Sequence, residues 1–142
     1  MSDILVDIDG TVANCEHRLH HIREKPKNFR KFMEACPDDT IIEPVRDILR
    51  DLDQFSHNRL VFCTGRSDLY RKETEDWIHA ADLSSDAIYM RTQGDYRHDD
   101  IVKSELIDQI ITDGYKPVIA KSIRCSRTRA ITRCLRKNFL AR

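Results

Sequence analysis

The sequence predicts an α/β fold, a parallel sheet wound with helices on both faces, and three observations carry that expectation. Short apolar runs of strand length recur at Ile4–Val6, Leu60–Phe62 and Ala87–Met90. Segments with helical spacing of apolar residues separate them. The first two runs break off at polar, glycine-containing stretches, as buried parallel strands do where they leave a sheet.

Taken in order, Ser2 to Asp7 reads as the first strand, ending at Asp7 with Gly10 close behind. The charged stretch of about 14–40 carries Leu19, Ile22, Phe29, Phe32 and Met33, is divided by Pro26 and closed by Pro37, and reads as two short helices inserted over the site. Pro44 suits the first turn of a helix, and Val45, Ile48, Leu49 and Leu52 continue it at helical spacing to Phe55. Arg59 to Cys63 is the second strand, running into a polar loop at Thr64, Gly65 and Arg66. Leu69 to Ala81 has the helical period, with Trp77 expected in the core, and Ala87 to Met90 is the third strand. Ile101, Val102, Leu106, Ile107, Ile110 and Ile111 mark an amphipathic helix ending near Gly114, and Pro117 to Ala120 begins a fourth strand. Alternating strands and helices imply right-handed crossovers, with a ligand site beyond the carboxyl ends of the strands.

The 142 residues suit one domain able to bury a core without disulfides or a structural metal. Five irregularly spaced cysteines with no CxxC pair indicate neither a zinc site nor a disulfide framework. No apolar run is long enough for a membrane helix and no signal-peptide pattern opens the chain, so a cytoplasmic protein without a membrane partner is expected. The formal net charge of zero hides a division: residues 121–142 hold eight basic and no acidic side chains, leaving 16 basic against all 24 acidic ones before them. The body is therefore −8 and the tail +8, as in a nucleic-acid-facing arm or a segment of foreign origin. Residues 1–120 are expected to form the core and 121–142 an atypical basic tail.

Asp7-Ile8-Asp9-Gly10-Thr11 sets two carboxylates two residues apart after a buried strand. One carboxylate can attack phosphorus while the other protonates the leaving oxygen and later activates water. Asp7 is the expected nucleophile and Asp9 the acid/base, and Mg2+ beside them would suit their oxygen chemistry. The same residues also build an ordinary turn. Thr64 either meets the phosphate or, with Ser67, caps the helix near Leu69. Lys103 either pairs with Asp7 and the transferring phosphoryl group or lies on a solvated helix face. His17 and His21 fall four residues apart, but without a third ligand a surface or substrate-contacting role fits better than a metal site. Arg18, Arg23 and Lys27 read as phosphate contacts or as an exposed charged helix. Tyr96, Arg97 and His98 lie where they could stack on or pair with a nucleotide.

These residues resemble the haloacid dehalogenase superfamily through Asp7-Ile8-Asp9-Gly10-Thr11-Val12, Val61-Phe62-Cys63-Thr64-Gly65-Arg66 and Lys103, over about residues 3–120. The segment from Met90 to Lys103, with its G-D-x-R-x-D-x-x-x-K pattern, is similar to the phosphatase domain of phage polynucleotide kinase-phosphatases. The resemblance implies a Rossmann-like fold with a small helical cap, Mg2+, an aspartyl-phosphate and removal of a 3′-phosphate from a nucleotide or polynucleotide end. It makes Asp7 nucleophile and metal ligand, Asp9 acid/base and, through its backbone carbonyl, metal ligand, Thr64 a phosphate binder and Lys103 the charge stabiliser. Gly65, Arg66, Thr11 and Arg97 are the expected substrate contacts.

Two departures accompany it. No GxxxxGK[ST] loop occurs in the chain, so phosphatase activity without kinase activity is expected. The family's acidic pair after the last core strand is replaced by Lys121-Ser122-Ile123-Arg124, as a shifted frame or a divergent end would leave it. Asp113 is a distant candidate substitute ligand, but the role of a turn residue before Gly114 fits it better; a partner subunit in an oligomer could supply an acid instead, and weakened or lost catalysis is the expected cost. The alternatives are a small-molecule or 5′-nucleotide phosphatase, and an inactive relative that binds nucleic acid through its basic tail.

Overall fold

Four apolar strands dictate the architecture. In the computed structural model, β1 (Asp3–Val6), β4 (Arg59–Ser67), β5 (Ala87–Arg91) and β6 (Pro117–Ile119) form a sheet in the order β5-β4-β1-β6 with every pairing parallel. The structure describes residues 2–56 and 58–119; the basic tail and the missing acidic pair lie outside the described residues. Side chains alternate across a strand, so each one feeds two cores. Ile4, Val6, Leu60 and Phe62 pack on one face with Leu49 of α3 (Glu43–Ser56) and with Trp77 and Ile78 of α4 (Arg71–Ala80). Leu5, Val61 and Cys63 pack on the other with Ile107 and Ile110 of α5 (Asp99–Thr112). The result is the expected three-layer α/β fold.

The insert consists of α1 (His20–Arg23), α2 (Phe29–Glu34) and single 3-10 turns at Glu16–Arg18 and Cys36–Asp38. It is tied at its base by a two-stranded antiparallel ribbon of β2 (Ala13–Asn14) and β3 (Thr40–Ile41). That ribbon is an addition to what the sequence predicts, since two-residue strands carry no period. A second difference concerns β4, which runs on to Ser67 instead of ending at Cys63. Ser67 pairs with Arg91 across an irregularity after Thr64, so Thr64, Gly65 and Arg66 belong to a bulged strand end, a device that re-aims side chains beside a site. The thiols of Cys15, Cys36 and Cys63 are free and buried. Among the described residues no helix is long and apolar enough to cross a membrane.

Candidate active site

Period-two alternation on β1 sets Asp7 on the same face as Leu5, the face covered by α5. Lys103, in the second turn of α5, donates from Nζ to Asp7 Oδ1 at 2.9 Å. The backbone N–H of Ile8 donates to the same oxygen at 3.0 Å. Burial raises the Asp7 carboxyl above its ordinary value, and Lys103 only partly opposes this. Burial would lower Lys103, but Asp7 and Asp99 outweigh it and hold the ammonium charged. Asp99 lies one turn before Lys103, 3.4 Å from its Nζ.

Asp9 is gripped from the other side. Its Oδ1 accepts from Arg18 Nη2 at 2.7 Å and from Arg66 Nη2 at 2.6 Å and Nε at 3.0 Å. Both guanidiniums also reach Asp39: Arg18 through Nε at 2.7 Å and Nη2 at 2.6 Å, Arg66 through Nη2 at 2.7 Å. Two cations and two carboxylates thus form a neutral cluster, as charges removed from water must. Both arginines and Asp39 are fully buried at the side chain, whereas Asp9 keeps 23% of its own exposed and is the member a substrate can reach. Burial pushes the Asp9 carboxyl up, but Arg66 and Arg18 outweigh it and hold it below its ordinary value.

Thr64 is buried at the end of β4, next to β1, and its Oγ1 accepts from the N–H of Arg66 at 3.2 Å. Ser67, not Thr64, caps the following turn, accepting from the N–H of Leu69 at 3.3 Å. Gly65 packs so closely on the Asp99 carboxylate that a Cβ there would run into it. Thr11 is buried just past Gly10, whose φ of +78° turns the chain back toward Ala13. Gly65 is linked through Asp99 to Lys103 and Asp7.

Two expected substrate contacts stand differently. Arg66 is committed to Asp9 and Asp39, both within 2.7 Å of its Nη2. Arg97 is held on the surface by Asp95 and Glu105, at 2.7 Å each from Nη2. Arg18 departs from the exposed-helix alternative: it is fully buried, with its guanidinium over the Phe32 ring. Asp113 is ten residues past Lys103 on one helical axis, about 15 Å away at 1.5 Å per residue, and accepts from the Tyr89 hydroxyl at 2.6 Å. It is not a substitute metal ligand.

With this geometry in view, comparison with known proteins is informative. The family of the polynucleotide kinase PNKP phosphatase domain matches residues 1–124. The chain belongs to this family. Among solved structures it is similar to a Pnkp1/Rnl/Hen1 complex at 25% identity, with a TM-score of 0.64, over 84% of this chain and 36% of that one. A Pnkp1/Rnl/Hen1 RNA repair complex shares its fold at 22% identity, with a TM-score of 0.69, over 96% of this chain and 39% of that one. The chain therefore spans little more than a third of the chains it matches. No curated protein matches it.

The PNKP phosphatase family uses a haloacid-dehalogenase site, and the donor set here fits the metal such a site implies. Asp7 offers a carboxylate oxygen and Asp9 a backbone carbonyl, and Mg2+ is commonly held by one or two carboxylates with the remaining positions left to phosphate and water. The hydrogen bonds described above all fall on Oδ1 of each carboxylate. No group of three or more acidic, histidine or cysteine residues suited to an ion stands among the described residues. His17 is no exception, since its Nε2 lies 2.9 Å from Asp39 Oδ1.

Three members of the site were not assigned from the sequence. Asp39 sits in a proline-bounded turn, 21 residues from Arg18, with no periodic signal. Arg18 was weighed only against solvent or phosphate. Asp99 could have been found, because a carboxylate four residues before Lys103 on a helix falls on the same face.

Proposed function

We propose that this chain is a phosphoric monoester hydrolase that removes 3′-phosphate from polynucleotide ends through an aspartyl-phosphate on Asp7. The observation that carries the reading is the contact of Lys103 Nζ with Asp7 Oδ1 at 2.9 Å, beside an Asp9 whose own Oδ1 is fixed by two arginines. One oxygen of each carboxylate is thereby anchored. Membership of the PNKP phosphatase family supports a phosphorylated 3′ end as substrate.

In the first half-reaction Asp7 Oδ2 bonds to phosphorus as the bond to the ester oxygen breaks. Asp9, protonated against the pull of Arg66 and Arg18, gives its proton to that leaving oxygen, so this half-reaction is favoured as pH falls. In the second half Asp9 takes a proton from water, the hydroxide attacks phosphorus, and inorganic phosphate leaves with Asp7 regenerated. Lys103 and the Thr64 hydroxyl, aimed where charge gathers on the phosphoryl oxygens, stabilise the transition state. Mg2+ held by the Asp7 carboxylate and the Asp9 backbone carbonyl would neutralise phosphate charge and let an anionic nucleophile approach. The arginine pair holds Asp9 in one orientation for both proton transfers. The fold shared with Pnkp1 assemblies makes action within a larger complex part of the same reading.

The test is a substrate panel with Mg2+: 3′-phosphorylated oligonucleotide, 5′-phosphorylated oligonucleotide and p-nitrophenyl phosphate. Phosphate release from the 3′ end at the highest kcat/KM is expected. Preference for the 5′ end, or no turnover of the 3′ end, would overturn the assignment.

A further inference from the structure

Tyr96, on the loop between β5 and α5, is 93% exposed, the most exposed large apolar side chain among the described residues. Single exposed apolar residues are ordinary. This one differs in how it is presented. Arg91, at the end of β5, donates from Nη1 to the carbonyls of Asp95 at 3.1 Å and Arg97 at 2.8 Å, the residues on either side of it. The same guanidinium donates from Nε to the Gly65 carbonyl at 3.0 Å and from Nη2 to Asp99 Oδ1 at 2.9 Å. The loop is pinned again where the N–H of Gln93 donates to Asp68 Oδ1 at 2.8 Å and where Arg97 is clamped by Asp95 and Glu105.

One arginine therefore joins the backbone around Tyr96 to Gly65 and Asp99, which frame the pair of Lys103 and Asp7. The backbone that carries the ring is tied through Arg91 and Asp99 to the pair of Lys103 and Asp7, so a flat ligand meeting the ring costs little further ordering of that loop. Charge argues the same way. The formal −8 up to residue 120 is balanced by +8 in residues 121–142, so net charge gives a polyanionic strand no attraction. Base stacking on an aromatic ring does not depend on that balance and accepts any base.

We propose that Tyr96 is a stacking platform for a nucleobase within the last two nucleotides of the substrate strand. The role rests on the reading of the substrate as a polynucleotide 3′ end, and it would favour strands over small phosphate esters at the same site.

Binding tests it apart from catalysis. In an Asp7→Asn background, fluorescence anisotropy would follow a labelled single strand with a 3′-phosphate, and the same strand with its last two nucleotides abasic. Tyr96→Ala is expected to weaken binding of the intact strand by roughly 5- to 150-fold and leave the abasic strand unchanged. Tyr96→Phe, which keeps the ring, restores binding. Unchanged affinity in Tyr96→Ala, an equal loss on both strands, or no binding of the intact strand by the background protein would overturn the proposal. Turnover of 3′-phosphorylated oligonucleotide by the chain with Asp7 intact reports separately on the catalytic reading: base-dependent binding without turnover would remove that reading and keep the platform.

Discussion

Replacing Asp39 by alanine tests whether the buried ion cluster is the hinge between insert and sheet. Its carboxylate accepts from Arg18 at 2.6 and 2.7 Å and from Arg66 at 2.7 Å, with no side-chain exposure at all, and its backbone carbonyl accepts from Trp77 Nε1 at 2.7 Å. Without it two buried guanidiniums share the single carboxylate of Asp9. Breaking a buried pair by removing one partner costs about 3–5 kcal/mol, because a charge is left uncompensated out of water. A domain of ordinary stability holds only about 5–15 kcal/mol in total. Urea unfolding followed by circular dichroism is the assay, with Lys72→Ala, which removes the exposed pair to Asp76, as a control expected to show no measurable change. The expected result for Asp39→Ala is a loss within that range together with a fall in kcat, since Asp9 loses its fixed orientation. A loss under about 1 kcal/mol would refute the reasoning, because a charge cluster that tolerates it so cheaply is not closed to water.

Further outcomes follow from the same contacts. Gly65→Ala sets a Cβ against the Asp99 carboxylate, so activity should fall through displacement of Asp99 and Lys103 while the unfolding midpoint moves little; unchanged kcat would contradict this. Buried Asp3 is raised by desolvation but held below its ordinary value by Arg59 and the backbone N–H of Lys116. Its stabilisation is complete above the unfolded value of 3.8 and fades as pH falls through the lower folded one. Asp3→Asn should thus cost stability at pH 7 and progressively less in acid, and urea midpoints that diverged further in acid would reject it. Ser122→Asp, restoring an acid where the family carries a pair, should lower the Mg2+ concentration for half-maximal activity and raise kcat; parity with the unaltered chain would end the argument that Lys121-Ser122 weakens the metal site.

What could be read in advance follows from which signals are periodic. Ile4–Val6 and Leu60–Phe62 are buried on both faces, so they stand out as apolar runs, and the alternation that continues from Leu5 to Asp7 points Asp7 at α5. Lys103 was identifiable because α5 follows the third strand and starts beside the strand ends. Arg18 and Asp39 were not, because their pairing joins two turns of an irregular insert, and nothing in a charged, loop-rich stretch tells a buried arginine from a solvated one. The extension of β4 through Gly65 was hidden for a related reason: polar residues at a bulged strand end look like loop. Arg91 escaped notice because its partners are mostly backbone carbonyls, which leave no trace in composition.

The covalent step on Asp7 is the centre of the account, and trapping it is the most direct measurement. The chain would be mixed with 3′-phosphorylated oligonucleotide and Mg2+, quenched in acid within the first turnover, digested and mapped by mass spectrometry. A phosphoryl group on Asp7, absent from Asp7→Asn, is the result expected. Label on another residue, or phosphate release by Asp7→Asn at the unaltered rate, would contradict it.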